Sequence, residues 1–198
     1  IQGVAALAAD ELRRHGWLLD GSLANAMLRS ATLDKVNLSN ADLRGANLYR
    51  AHLIDADLWR ANLAQSDMGG AWLGGARLWD ANLEGANLWQ ARMQKADLRR
   101  ANGENAKLNE AKLDEADLRE ANFKGANFKD ARLIGANLFN TVLSDADLSG
   151  ADLSGVNLRG AILRRANIEG AVFDSATLLP DGKRWSPSRP LAGYLDDE

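Results

Sequence analysis

Ala41-Asp42-Leu43-Arg44-Gly45-Ala46-Asn47-Leu48-Tyr49-Arg50 decides how this chain folds, because one five-residue phrase is stated twice in it with nothing inserted. Through residues 42–98 almost every fifth residue is alanine, the next is often Asp or Asn, and the next is leucine. Outward from there the pattern is expected to hold over residues 21–180, 160 residues or 32 pentapeptides without insertion. The central position is Leu except at Met68, Met93, Gly103, Phe123, Phe128, Ile168 and Phe173, and Leu178 is read as its last member. Two residues earlier stands Ala, replaced by Gly21, Val36, Ser66, Thr141 and Val156.

A period of five excludes the ordinary elements. On an α-helix each Leu would advance about 500°, a net 140°, which scatters the apolar residues around the cylinder. In a straight strand an odd period sends successive leucines to opposite faces. Only a chain that turns once per repeat can bury Ala and Leu together.

The run Ala-(Asp/Asn)-Leu-x-x, as in Ala81-Asn82-Leu83 and Ala146-Asp147-Leu148, resembles the pentapeptide repeat family. The resemblance implies an all-β fold, a right-handed quadrilateral parallel β-helix in which four pentapeptides make one square coil. Carried over, the repeats give about eight coils and a rod roughly 38 Å long, at the spacing of strands in a sheet. Residues 20 apart should then touch. Phe123 would fill the space left by Gly103, Trp59 would lie over Trp79 and Arg99 over Arg119, and Asn62, Asn82, Asn102 and Asn122 would form a ladder. Arg60, Asp80, Arg100 and Glu120 would alternate in sign up one column.

The flanks read as caps. In residues 1–15 Val4, Ala5, Leu7, Ala8 and Leu12 recur at helical steps, and Gly16 follows where a helix stops, so residues 1–20 are expected to form a short capping helix plus an apolar segment. Residues 181–198 form a C-terminal cap or tail, where Trp185, Leu191, Tyr194 and Leu195 could cover the last coil. A solenoid needs such covers because a bare strand edge invites another chain.

Composition narrows function. The net charge of −3 gives no field that would steer the protein to nucleic acid, so direct nucleic-acid binding is not expected. There is no cysteine, hence no disulfide framework and no thiolate metal site. No apolar run is long enough to span a bilayer as a helix, and the expected location is cytoplasmic. Residue 1 is Ile, which leaves open a trimmed piece of a longer chain whose targeting signal, fused domain or membrane segment is missing. His15 and His52 are isolated, so neither metal nor other cofactor is expected. Gly69-Gly70 and Gly74-Gly75 flank Trp72 without the Lys-Ser/Thr of a phosphate loop, and read as corners where Gly tolerates unusual backbone angles. The many Asp residues before the central Leu share their place with Asn, which cannot exchange protons; they read as corner fasteners rather than catalysts. The chain is therefore read as non-enzymatic.

The aromatic residues differ. Tyr49, Trp59, Trp72, Trp79 and Trp89 occupy outward positions that a core does not need. Together with Arg99, Arg119 and Phe139 they form the candidate interaction surface, since exposed Trp and Arg make interface hot spots. The column Arg92, Lys112 and Arg132 stacks like charges, with Asp114 and Glu115 near enough to compensate. The first functional expectation is a rigid scaffold that binds another protein or itself through this surface. The alternative, implied by the resemblance, is a DNA-mimicking modulator of DNA gyrase, which the interleaved charges support poorly. A third is a ligand- or lipid-associated module of a longer chain.

Overall fold

The computed structural model describes residues 23–189 and 191–196. Every fifth residue from Met27 to Asp152 forms a parallel bridge with the residue 20 later. Four pentapeptides therefore bring the chain back over itself, and the short bridged pieces stack into a four-sided parallel β-helix. From Ala41 to Leu158 the Ala and Leu positions are buried, nearly all at 0% exposure, in one continuous core. The capping helix expected over residues 1–15 lies outside the described residues. Among the described residues no α-helix occurs; a 3-10 turn spans Ala192–Tyr194.

The backbone of a single repeat explains the sequence pattern. Leu43 N–H donates to Asn62 O at 2.8 Å, Gly45 to Ala64 O at 2.9 Å, Ala46 to Leu43 O at 3.0 Å and Asn47 to Ala26 O at 2.9 Å. The first two bonds reach one neighbouring coil, the third closes a four-residue turn, and the fourth reaches the other neighbouring coil. Arg44 alone finds no carbonyl. The Asp42 side chain takes its N–H at 3.3 Å through Oδ1. Every buried backbone polar group needs a partner, and Asp or Asn before the central Leu supplies the fifth one. Asn47 does the same for Tyr49 at 3.1 Å and Asp57 for Trp59 at 3.1 Å. The fastener role expected for these residues is the one they perform.

Each turn places its second residue in the left-handed region. This holds at every multiple of five from 25 to 170, at twenty residues that are not glycine as well as at Gly45 (φ +64°) or Gly70 (φ +63°). A positive φ at that place defines a type II turn. For a residue with a Cβ it costs on the order of 1 kcal/mol. The inter-coil bond from the same residue's N–H, as in Asn40 to Trp59 O at 2.7 Å, works against that cost.

Columns 20 residues apart meet as expected at several places. The Asn82 side-chain amide donates to Asn62 Oδ1 at 3.2 Å, Asn102 to Asn82 at 3.3 Å and Asn122 to Asn102 at 3.2 Å. Asp80 lies 3.7 Å from the Arg60 guanidinium and 3.0 Å from that of Arg100. Gly103 has an ordinary φ, but a Cβ there would lie inside the Phe123 ring. Its role is space. The ring of Phe123 fills that space and meets Phe128 edge-on, with centroids 5.3 Å apart.

The uninterrupted run ends sooner than the spacing implies. Asn157 bridges Leu178, 21 residues on. Thr177 and Leu179 are fully buried, so they take the Ala and Leu places, while Leu178 is an outward residue. The extra residue is absorbed in Asp174-Ser175-Ala176, where Asp174 Oδ1 accepts N–H bonds from Gly155, Ala176 and Thr177 at 2.8, 2.9 and 3.0 Å. Thr177 suits the inner place because its hydroxyl donates to Leu153 O at 2.9 Å, as Thr141 does to Leu118 O at 2.8 Å. A leucine on the five-residue spacing could not betray this slip.

Beyond it, Leu178 pairs with Arg184 in antiparallel fashion and Trp185 stacks on Phe173 with centroids 6.0 Å apart. Tyr194 and Leu195 pack against the core, and Arg165 N–H donates to Leu195 O at 2.8 Å.

Candidate interaction surface

The outward aromatic residues fall into two groups. Trp59, Trp79, Arg99, Arg119 and Phe139 are spaced by 20 and line one corner of the square. Tyr49 and Trp89 belong to the corner two repeats away, which is the diagonal one, and Trp72 stands on the flat face beside it. All six aromatic residues are half-buried. Tyr49, Trp59, Trp72, Trp79 and Trp89 each meet a side chain from a neighbouring coil.

On the first corner, Trp59 and Trp79 have centroids 6.5 Å apart at 42°, a tilted contact. Arg60 lies over Trp59 at 4.7 Å and Arg99 over Trp79 at 5.1 Å. The Trp59 indole N–H is buried without an acceptor. Arg99 also grips Asp97 with two bonds of 2.8 and 2.6 Å, and Arg119 grips Asp117 through Nε at 2.9 Å and Nη2 at 2.7 Å. Burial opposes ionisation of Asp97, yet bonds from the Arg99 guanidinium and backbone outweigh it and hold the carboxyl below its ordinary range. The cations on this corner are thus largely spent on neighbouring carboxylates.

The second group is organised differently. Tyr49 lies between Arg29 at 4.4 Å and Arg50 at 5.3 Å. Its ring packs over Gly69, where a Cβ would come within 3.1 Å of Tyr49 Cδ2. Trp89 donates through Nε1 to Glu110 at 3.3 Å. Trp72 is stacked on His52 at 4.8 Å and 15° on one side and carries Arg92 at 4.4 Å. Of the glycines around it, Gly70 and Gly75 have positive φ (63° and 67°), whereas Gly69 and Gly74 do not. The expectation that both members of each pair relieve a corner angle is therefore corrected: Gly69 makes room for Tyr49, and a Cβ at Gly74 would meet nothing nearer than Gln94 O at 3.8 Å.

Two shallow recesses result, one on each side of Trp72. One, of about 430 Å³, is lined by Arg50, His52, Gly70, Trp72, Gln90 and Arg92. The other, of about 340 Å³, lies over Gly74 and Gly75 between Trp72 and Ile54. From the sequence His52 was weighed only as a metal ligand and Arg92 only as part of a like-charge column, and Arg50 was not singled out. The signal that joins His52 and Arg92 to Trp72 is a gap: Thr32, His52, Trp72, Arg92, Lys112 and Arg132 occupy the fastener place in consecutive coils of one face, and none is Asp or Asn. Lys112 is exposed in the middle of that column, and Arg132 is held by Asp114 at 2.6 Å. Among the described residues no three His, Cys, Asp or Glu side chains are grouped to hold a metal ion, and no helix is long and apolar enough to cross a membrane.

A family model for pentapeptide repeats matches the chain in eight copies, over residues 15–45, 22–60, 41–80, 81–119, 104–140 and 141–178. Among solved structures the chain is similar to HetL, a pentapeptide repeat protein involved in heterocyst differentiation regulation from the cyanobacterium Nostoc. That match has 33% identity over 82% of this chain and 84% of that one, with a TM-score of 0.40. It is also similar to a pentapeptide repeat protein of the Arabidopsis thaliana thylakoid lumen, with 32% identity over 50% of this chain and 68% of that one and a TM-score of 0.49. The plasmid-mediated fluoroquinolone resistance protein QnrB1 matches at 19% identity over 75% of this chain and 90% of that one, with a TM-score of 0.44. No curated protein matches.

Proposed function

This chain belongs to the pentapeptide repeat family, and we propose that it is a non-enzymatic rigid scaffold that binds another protein, or a second copy of itself, through its aromatic–arginine surface. On this reading the rod has about eight coils and its first coil is covered by the N-terminal helix expected from the sequence. The observation that carries the proposal is the concentration of Trp and Tyr at outward positions, four of them with a guanidinium within 5.1 Å of the ring. A solenoid of this kind is stabilised by Ala and Leu inside, and the outer columns are free to be Asn ladders, as they are from Asn62 to Asn122. Pre-ordered aromatic–arginine pairs lose little side-chain entropy on binding, which favours them as anchors.

The test is cross-linking and light scattering of the purified protein, with and without a cell extract, for the parent and for Trp59→Ala/Trp79→Ala and Trp72→Ala/Trp89→Ala. A partner or oligomer lost in either double variant supports the reading; an inert monomer indifferent to both sinks it. A rod that imitated DNA toward gyrase would need a row of uncompensated acids at phosphate spacing. Asp42, Asp97, Asp117 and Asp145 are each paired with an arginine instead. A supercoiling assay that shows no effect at micromolar protein removes that alternative.

A further inference from the structure

We infer that the face carrying His52, Trp72, Arg92 and Lys112 is the binding surface, and that it takes a short acidic peptide segment of a partner protein. The inference rests on the scaffold reading and gives its site and ligand class.

Two independent observations converge on this face. The first is backbone chemistry. Wherever Asp or Asn precedes the central residue, its Oδ1 caps the N–H two residues on. On this face the fastener is missing in consecutive coils, and the N–H groups of Gly74, Gln94, Asp114 and Ile134 have no acceptor among the described residues. Only Ile54 in that column is served, by Asp34 at 2.8 Å from the coil before. The other faces leave such donors singly or in a pair at the C-terminal end, as at Trp79 beside Arg77 or Asn109 beside Lys107. Here four stand in a row, one per coil and about 4.8 Å apart. They form a strip of donors aimed away from the core.

The second observation is charge. Arg50, Arg92 and Lys112 have no carboxylate partner among the described residues, a state they share with Arg29, Lys35, Lys107, Arg159 and Arg164, whereas Arg44, Arg60, Arg77, Arg99, Arg100 and Arg119 each have one. Arg50 and Arg92 sit two coils apart, roughly 10 Å along the axis. Both border the recess beside Gly70, and its lining contains no carboxylate, whereas the recess beside Gly74 and Gln94 has Asp55 as well as Arg92 and Lys95 in its wall. The Arg50 guanidinium lies 5.3 Å from the Tyr49 ring centroid and that of Arg92 4.4 Å from the Trp72 centroid, and a guanidinium without a carboxylate partner can fork its N–H groups onto one.

Unmet donors on one side of Trp72 and unpaired cations on the other, with Arg92 bordering both recesses, call for an occupant rich in acceptors and negative charge. An extended acidic peptide offers both, with side-chain carboxylates for Arg50, Arg92 and Lys112 and carbonyls for Gly74 and Gln94. The footprint is too short for a nucleic acid. Asp55 and Glu115 flank it on the next corner and Glu110 on the other, so the unpaired positive charge extends over four side chains only, Arg29 over Tyr49 included. A duplex held by its backbone needs more phosphate contacts than that.

The experiment is fluorescence anisotropy with fluorescein-labelled hexaglutamate, and with a labelled 20-base-pair duplex and free inorganic phosphate as competing arms. Arg92→Glu and Lys112→Glu are exposed substitutions whose folding a melting curve verifies. Arg164→Glu, on a distant corner, is the control. Hexaglutamate affinity is expected to fall at least tenfold in Arg92→Glu/Lys112→Glu and to stay within twofold in the control. Amide resonances of Gly74 and Gln94 should shift on titration. Preference for the duplex, equal effects of site and control substitutions, or failure of the peptide to bind overturns the inference. Loss of the partner or oligomer in Trp59→Ala/Trp79→Ala but not in Arg92→Glu moves the contact to the diagonal corner and leaves the scaffold reading standing. Indifference to both removes the two together.

Discussion

Gly103 and Phe123 offer a quantitative test of the stacked-coil geometry. Gly103 occupies the central place that Leu fills at Leu83 and Leu143, and its φ is ordinary, so nothing in the backbone requires glycine. Phe123 is fully buried directly beside it, in the space a side chain at 103 would use. Gly103→Leu alone drives a branched side chain into a packed ring and should cost about 3 kcal/mol or more. Phe123→Leu alone opens a hole continuous with the empty Gly103 place and should cost about 2 kcal/mol. The double variant rebuilds the ordinary leucine column. It should lie within about 1 kcal/mol of the parent, so the coupling energy in the cycle is about 4–6 kcal/mol, above the upper end for contacting residues. Urea denaturation followed by circular dichroism measures all four corners of the cycle. Additive single effects, or a double variant less stable than either single, would refute the contact and with it the register on which every column rests.

Thr141→Val should cost about 0.5–1.5 kcal/mol in the same assay, because it deletes the bond to Leu118 O. Ser66→Ala should be neutral or stabilising by up to about 1 kcal/mol, since the Ser66 hydroxyl is buried without a partner. Leu118→Ala should cost about 2–5 kcal/mol, as a cavity in a continuous stack has little room to collapse. Acid should destabilise the rod: Arg44 depresses the Asp42 carboxyl, Arg165 depresses that of Asp145, and Asp97 stays low despite its burial. Depressed folded values stabilise the protein above the ordinary 3.8 and lose that contribution as pH falls through the folded values. The melting temperature should therefore be level above about pH 5 and drop below about pH 4, and Asp97→Asn should make that drop shallower. A steeper acid loss in Asp97→Asn would contradict the pairing with Arg99.

The fold was legible because the core positions are under the tightest constraint. A small side chain, Ala above all, fits beside the turn and a large apolar one, mostly Leu, fills the middle of a side, so the period shows through any choice of outer residues. Column contacts such as the Asn62 to Asn122 ladder followed once the repeat of 20 was known. The slip at Asp174-Ser175-Ala176 was hidden for the opposite reason. Leu178 and Leu179 are both leucine, Thr177 looks like a poor inner residue, and only its hydroxyl bond to Leu153 O makes it a good one. Sequence spacing also gave the aromatic residues an exposure they do not have. Outward-pointing Cβ atoms leave Trp59 and Trp79 free to lie down along the corner, where Arg60 and Arg99 cover them.

Separating the two aromatic groups required the partners as well as the positions. From the sequence, Arg99 and Arg119 were the cations of interest because they share a column with Trp59 and Trp79. In the folded rod Asp97 and Asp117 bring those guanidiniums back to their own repeats, while Arg50 and Arg92 have aromatic company and, among the described residues, no carboxylate. The difference traces to one choice per repeat. An Asp before the central residue both caps the N–H two positions on and offers a carboxylate to an Arg at that position, as Asp97 does for Arg99. His52, Trp72 or Arg92 in the same place removes the cap and the counter-charge together. Unmet donors and unpaired cations therefore coincide on this face, although Arg132 in the same column finds Asp114, and a pentapeptide rod can acquire a binding strip by substituting one outward column without disturbing its core.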